Sequence, residues 1–416
     1  MAHFIKPPYK HIHEYSTHAP AVMMRRVFEV TDAVISATLS VCGLGYGYYY
    51  INGKPVSEDL FTAPVSDYNK TLWVNEYDIT DMITTGANVI AIWLGNGNFN
   101  ENIHTPWNLN EASYRDNPKV MISMEIVTAK ETMTIQGDTA FQCTDQGGVV
   151  FNQLRNGEYF DFNLHDEKWV ELQFDDSHWD HVVLDTNPPK GVMRICECEP
   201  IREIREYEPK TVTKTKKGSY VFDFVQNLSG YIRLTYQGEQ GQTLTIKYAE
   251  VLDEDGCATT DWNEGFYADS AYGTDKLILD GKEFTWSPKF VYHGFRYIEI
   301  IGLKEEIGKD QVKAVFVSQK VKEKTTFECS NELINQLFDI GRNSTRNNMH
   351  YIPTDCPTRE KLGWANDMQA SCEQFLTNFS CEKFLEKWLY DVLDAVNEQG
   401  AVSCIIPTPG WGYGWG

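Results

Sequence analysis

The chain has 416 residues, with 37 Lys+Arg against 59 Asp+Glu and a formal net charge of −22. Its length predicts roughly two to four domains, and 42% apolar with 23% charged residues is the balance of a folded globular protein. The negative charge repels phosphate, which argues against nucleic acid and anionic membranes as partners, and no run approaches the ~18–20 consecutive apolar residues of a membrane span.

From the N-terminus, Met1-Ala2-His3-Phe4-Ile5-Lys6-Pro7-Pro8 lacks the apolar core of a secretory signal, and residues 1–25 read as an extension. His11-Ile12-His13-Glu14 could bind a metal but reads better as a solvated segment. Ten cysteines are scattered without a C-x-x-C pair, and Cys196-Glu197-Cys198 is too tight for a zinc knuckle. Reduced thiols and no signal together predict a cytoplasmic protein. A neutral ligand such as a sugar would escape the charge repulsion, and 13% aromatic residues can supply stacking faces as well as core.

Residues 26–190 read as a jelly-roll-like β-sandwich. Ile35, Ala37, Leu39 and Val41 alternate with Ser36, Thr38, Ser40 and Cys42, the period of a half-buried strand. Tyr48-Tyr49-Tyr50-Ile51 runs into Asn52-Gly53, a hairpin turn pair that tolerates positive φ twice. Val89–Leu94 and Val120–Ile126 continue the strands. Gly43-Leu44-Gly45-Tyr46-Gly47 leads into another strand, so it is no phosphate cradle. In Phe174-Asp175-Asp176-Ser177-His178-Trp179 the Trp is expected in the core. Asn187-Pro188-Pro189-Lys190-Gly191 marks a linker.

Residues 191–322 read as a second β-sandwich, with Tyr220–Phe224 and Tyr231–Tyr236 flanking a turn at Gln226-Asn227-Leu228-Ser229-Gly230. Leu244–Tyr248, Phe295–Ile300 and Val315–Val317 complete it. After Lys324 the period changes to 3.6, with Ser330 as expected N-cap and Leu333, Leu337 and Ile340 on one face. Further helices should carry Met368, Cys372, Phe375 and Phe379, then Phe384, Trp388, Val392 and Ala395. Only some helices of a larger domain fit into 323–416, so this region is expected to be cut short, ending on Trp411, Tyr413 and Trp415 among glycines.

The densest polar cluster is Asp355-Cys356-Pro357-Thr358-Arg359-Glu360-Lys361-Leu362-Gly363-Trp364-Ala365-Asn366-Asp367, made a loop by its prolines and glycine. Carboxylates accept from sugar hydroxyls, Arg359 donates, and Trp364 offers a stacking face. A partly dehydrated carboxyl beside an indole rises in pKa, which suits a general acid. The plainer reading is a helix-start loop whose acids suit the helix dipole.

This cluster resembles the signature of bacterial α-L-rhamnosidases (glycoside hydrolase family 78). Gly43–Tyr46, Ile51–Val56, Ser66–Tyr68, Tyr77–Thr80 and Leu94–Gly97 resemble the family's N-terminal jelly roll. Asp223–Gly230, Ala249–Leu252 and Tyr292–Tyr297 resemble the β-sandwich that precedes its barrel. The resemblance implies two β-sandwich domains followed by the start of an all-α (α/α)6 barrel. It implies hydrolysis of terminal α-L-rhamnosyl bonds with inversion, without a cofactor. Glu360 then matches the general acid, Asp355, Arg359 and Asp367 the groups that hold the sugar hydroxyls, and Trp364 a pocket wall. Many members carry one more residue before the glycine-tryptophan pair. The family's general base is a Glu further along the barrel, so residues 1–416 alone are expected to be inactive. Rhamnose-containing glycosides are the expected partners. A non-catalytic carbohydrate-binding protein, or a six-hairpin glycosidase for another sugar, remains the alternative.

Overall fold

The computed structural model describes residues 3–9, 19–261 and 272–414. They fall into two units, the first comprising Met1–Ile103, Ser113–Leu154 and Glu158–Cys196, the second His104–Ala112, Arg155–Gly157 and Glu197–Gly416. The His11-Ile12-His13-Glu14 segment and Trp415 lie outside the described residues.

In the first unit, alternation builds two sheets that share one core. One runs Val183–Leu184, Phe4–Lys6, Lys119–Thr128, Val34–Leu44, Thr71–Asp78, Val192–Ile195 in spatial order. The other runs Asp180–His181, Gln142–Thr144, Val22–Val30, Gly86–Gly95, Tyr46–Ile51, Lys54–Pro55. Leu39, Val41, Ile122 and Met124 from the first sheet pack with Val22, Met24, Ile90 and Ile92 from the second. Asn52 and Gly53 take φ of 51° and 82°, as the expected hairpin turn requires. Trp179 is buried.

Three expectations change here. Phe4–Lys6, read as part of an extension, is a sheet strand paired on both edges. The proline linker does not end the unit, because Val192–Ile195 pairs in parallel with Thr71–Val74. Ile35 is exposed, because a register irregularity between Val34 and Ser36 turns it to the solvent face.

Among the described residues, the main strands of the second unit, where a β-sandwich was expected, hydrogen-bond into one curled sheet. Its centre is a single strand, Tyr220–Gln237, which absorbs the expected turn. Its first part pairs with Thr211–Lys214 and His293–Ile301, its second with Glu283–Trp286 and Val312–Gln319. His293–Ile301 stays paired on both sides of an irregularity between Asp223 and Leu228, where Val225 takes φ 71°, and the other neighbour changes across it. The polar run that reads as a turn is therefore a bulge that bends a continuous strand.

Three α-helices follow: α1 (Glu332–Asn347), α2 (Ala365–Asn378) and α3 (Glu382–Asp394). The N-cap of α1 is Asn331, one residue beyond the expected Ser330, and its side chain accepts from the Leu333 amide at 3.0 Å. Met368, Phe375, Phe384 and Trp388 are buried on these helices, Phe379 and Ala395 are buried just past their ends, and Cys372 and Val392 are only half-buried. The apolar face of α1 is not buried: Leu333, Leu337 and Ile340 are 63%, 58% and 64% exposed. That helix meets α2 through polar groups instead, Gln374 donating to the Gly341 carbonyl and to Thr345 Oγ1. Among the described residues, no helix is long and apolar enough to cross a membrane.

Candidate active site

The predicted cluster is the connection between α1 and α2. It is held from below by the curled sheet and from one side by the chain segment after α3. Asn347 at the end of α1 accepts from the Ser229 amide at 3.0 Å, and Tyr351, at φ 63°, donates its amide to Gln319 Oε1 at 2.8 Å. The Tyr272 hydroxyl donates to the Thr358 carbonyl. On the other side the Ala365 amide donates to the Cys404 carbonyl at 2.9 Å, and the Ile406 amide to the Gly363 carbonyl at 2.8 Å. Position 363 must be glycine, because a Cβ there would lie 2.2 Å from the Ile406 carbonyl oxygen.

Inside this frame Glu360 is 9% exposed. Trp364 Nε1 donates to its Oε2 at 2.7 Å, and the Arg359 guanidinium to its Oε1 at 3.0 Å. Its own amide donates to Cys356 Sγ at 3.3 Å. Its carbonyl accepts from Arg155 Nε at 3.0 Å and from the same guanidinium's terminal nitrogen at 2.6 Å. Carboxylate, backbone amide and carbonyl are thus all fixed.

Asp355 is tied to the same loop by a reciprocal pair. Its amide donates to the Leu362 carbonyl at 2.9 Å, and its Oδ1 accepts from the Leu362 amide at 3.1 Å. Burial pushes its carboxyl up to about 6, with the nearby Glu360 charge adding to the rise. Burial likewise pushes the Cys356 thiol up to about 12, which keeps it a neutral packing group. Asp367 stands apart in the exposed first turn of α2, its carboxylate without a hydrogen-bond partner among the described residues. The structure therefore joins Glu360, Arg359 and Trp364 directly, links Asp355 through one turn, and leaves Asp367 facing solvent.

The Trp364 ring lies edge-on to Trp411, centroids 6.1 Å apart. Tyr413 donates its hydroxyl to the Ala395 carbonyl at 2.7 Å, so it anchors the segment to the end of α3. Among the described residues, no group of three or more His, Cys, Asp or Glu could hold a metal. Sequence reasoning missed Arg155 and Tyr272. They lie far from the loop in sequence, and Arg155 within Gln153-Leu154-Arg155-Asn156-Gly157 carries no local pattern that would mark it.

Comparison with known proteins agrees along the chain. The α-L-rhamnosidase N-terminal domain matches residues 32–205, the bacterial α-L-rhamnosidase concanavalin-like domain 213–318, and the bacterial α-L-rhamnosidase 6 hairpin glycosidase domain 322–416. An α-L-rhamnosidase of Formosa agariphila is 31% identical over 380 residues, covering 89% of this chain and 39% of the relative. The structure of the Dictyoglumus thermophilum α-L-rhamnosidase superposes with a TM-score of 0.90 at 30% identity, over 99% of this chain and 46% of that one. That of the Streptomyces avermitilis α-L-rhamnosidase complexed with L-rhamnose gives 0.88 at 28% identity, over 94% of this chain and 38% of that one. The chain spans less than half the length of each of these relatives. The matched β-domains and six-hairpin glycosidase domain follow one another along the chain as parts of one glycoside hydrolase family. The chain belongs to the bacterial α-L-rhamnosidase family.

Proposed function

We propose that this protein hydrolyses terminal α-L-rhamnosyl bonds with inversion, and that Glu360 is its general acid. The observation that carries the reading is the Glu360 carboxyl, buried yet oriented by one indole N–H and one guanidinium. Protonating the leaving oxygen leaves a carboxylate on Glu360, and Arg359 is already in place to stabilise that charge. Asp355, Arg359 and Asp367 hold the rhamnose hydroxyls, and Trp364 with Trp411 forms an aromatic wall. The relative bound to L-rhamnose supports that choice of sugar.

Inversion requires a second carboxylate ~6.5–9.5 Å away to activate water. In this reading Asp355 and Asp367 are committed to sugar hydroxyls, and the base is a Glu further along an (α/α)6 barrel. Residues 1–416 alone should then bind L-rhamnose but turn over aryl α-L-rhamnosides barely or not at all.

The test is calorimetric binding of L-rhamnose combined with turnover of an aryl α-L-rhamnoside. Asp355→Asn and Asp367→Asn should each weaken binding, and Glu360→Gln should retain it. In a version extended to the length of the relatives, Glu360→Gln should abolish turnover. Turnover that survives Glu360→Gln, or that residues 1–416 sustain alone, overturns the assignment of acid or base respectively.

A further inference from the structure

Two buried cations hold the backbone on either side of the Glu360 carboxyl. Arg155, 1% exposed, grips the Glu360 carbonyl. Lys361, 3% exposed, donates its ammonium to the Tyr292 carbonyl at 2.5 Å. Burying an ammonium is costly unless it is well bonded, so the bond to the Tyr292 carbonyl holds the Lys361 side chain in a fixed place. Lys361 also takes φ 53°, a conformation that L residues adopt only when the surroundings impose it. That backbone setting turns the chain directly after Glu360.

The anchor itself is braced. Lys361 Nζ sits 4.4 Å from the Tyr292 ring centroid, within cation–π range. The same ring stacks on His350, centroids 4.0 Å apart at 24°. His350 is 6% exposed, and neither of its ring nitrogens has a hydrogen-bond partner among the described residues. Burial, reinforced by the Lys361 charge, pushes its pKa down to about 3, so the imidazole stays neutral and adds no second cation beside the ammonium.

We propose that Lys361 is a positioning residue for Glu360: docked on a Tyr292 ring braced by His350, its side chain fixes the left-handed turn that aims the Glu360 carboxyl at Trp364 and Arg359. The proposal rests on the reading of Glu360 as the acid, and it assigns Lys361 no contact with sugar.

Hydrogen exchange of the Trp364 indole N–H, followed by NMR on ¹⁵N-tryptophan-labelled protein, reads this orientation without needing turnover. Trp364→Phe assigns the resonance, and the indoles of Trp179 and Trp286 report on the rest of the fold. Lys361→Met should speed Trp364 exchange about tenfold while those two keep their rates. Lys361→Arg, which restores a cationic donor, should recover most of the protection. Lys361→Gly accommodates the left-handed backbone but lacks the anchor, and should behave like Lys361→Met. His350→Phe keeps the ring stack and should stay near wild type, whereas His350→Ala should loosen it. If Lys361→Met does not fold, Lys361→Gln provides the same comparison, with wild-type protection again counting against the anchor. Wild-type Trp364 protection in Lys361→Met or Lys361→Gly overturns the proposal and leaves the Glu360 assignment standing. Lost protection together with turnover that survives Glu360→Gln leaves the anchor in place and removes its catalytic meaning.

Discussion

Ionising Asp355 inside the folded loop costs free energy, because burial lifts its carboxyl from 3.8 to about 6. Between those values the native state holds the proton more tightly than the unfolded chain, so stability falls as pH rises through that window. Below it the penalty is absent; above it the penalty is complete, roughly 2 kcal/mol after allowance for solvent screening. Asp355→Asn keeps the Oδ1 that accepts from the Leu362 amide and removes the charge. The variant should therefore outlast the wild type in urea at about pH 7.5 and match it at about pH 3.5. A wild-type advantage at the higher pH would mean that the loop stabilises the carboxylate. The same substitution should weaken rhamnose binding, which separates a residue kept for its ligand from one kept for the fold.

At the level of elements, Val225 marks where local sequence and tertiary structure disagree. A β-branched residue at φ 71° is strained, and its side chain is 49% exposed, so little packing compensates. Val225→Gly should stabilise the chain by about 0.5–1 kcal/mol, seen as a raised urea midpoint; a loss would show that the side chain contributes packing at the bend. The helices give a second contrast. Leu337→Glu on the exposed face of α1 should change stability by less than about 0.5 kcal/mol, whereas Phe384→Ala, fully buried on α3, should cost about 3–5 kcal/mol. Equal losses in urea unfolding would place Leu337 in a core. These cases show what the sequence could reveal. Periodicity located α1 and its apolar stripe, but a period names a face and not what covers it. Asn52-Gly53 was legible because turn chemistry is local, and Gln226–Gly230 misled because a bulge uses the same residue types as a turn. The candidate loop was legible for the same reason as the hairpin, since Asp355, Arg359, Glu360 and Trp364 are nearly contiguous, whereas Asp367 stands apart from them. Arg155 and Tyr272 reach that loop only through the fold, so no spacing rule could bring them to it.

Under the proposed function, the net charge of −22 of the molecule as a whole bears on which rhamnosides can approach. The loop adds to this field locally, with Asp367 exposed in the first turn of α2. A neutral rhamnoside feels none of this, whereas one linked to a uronate is repelled over distances set by ionic screening. The Debye length shrinks from about 30 Å at 0.01 M salt to about 8 Å at 0.15 M, so repulsion should relax across that range. Binding of a rhamnosyl disaccharide that carries a uronate should therefore strengthen several-fold as salt rises. The matched disaccharide with a neutral hexose should bind with unchanged affinity. Calorimetry on residues 1–416 can measure both, since the comparison needs binding and not turnover. Should the acidic disaccharide bind more tightly at low salt, the loop cations would outweigh the overall charge, and Arg359, only partly exposed beside Glu360, would be the group to substitute next. If the two ligands respond alike, the overall charge does not reach the binding loop. The expected divergence would make neutral rhamnosides the preferred substrates, a selectivity set by long-range repulsion and not by any contact in the loop.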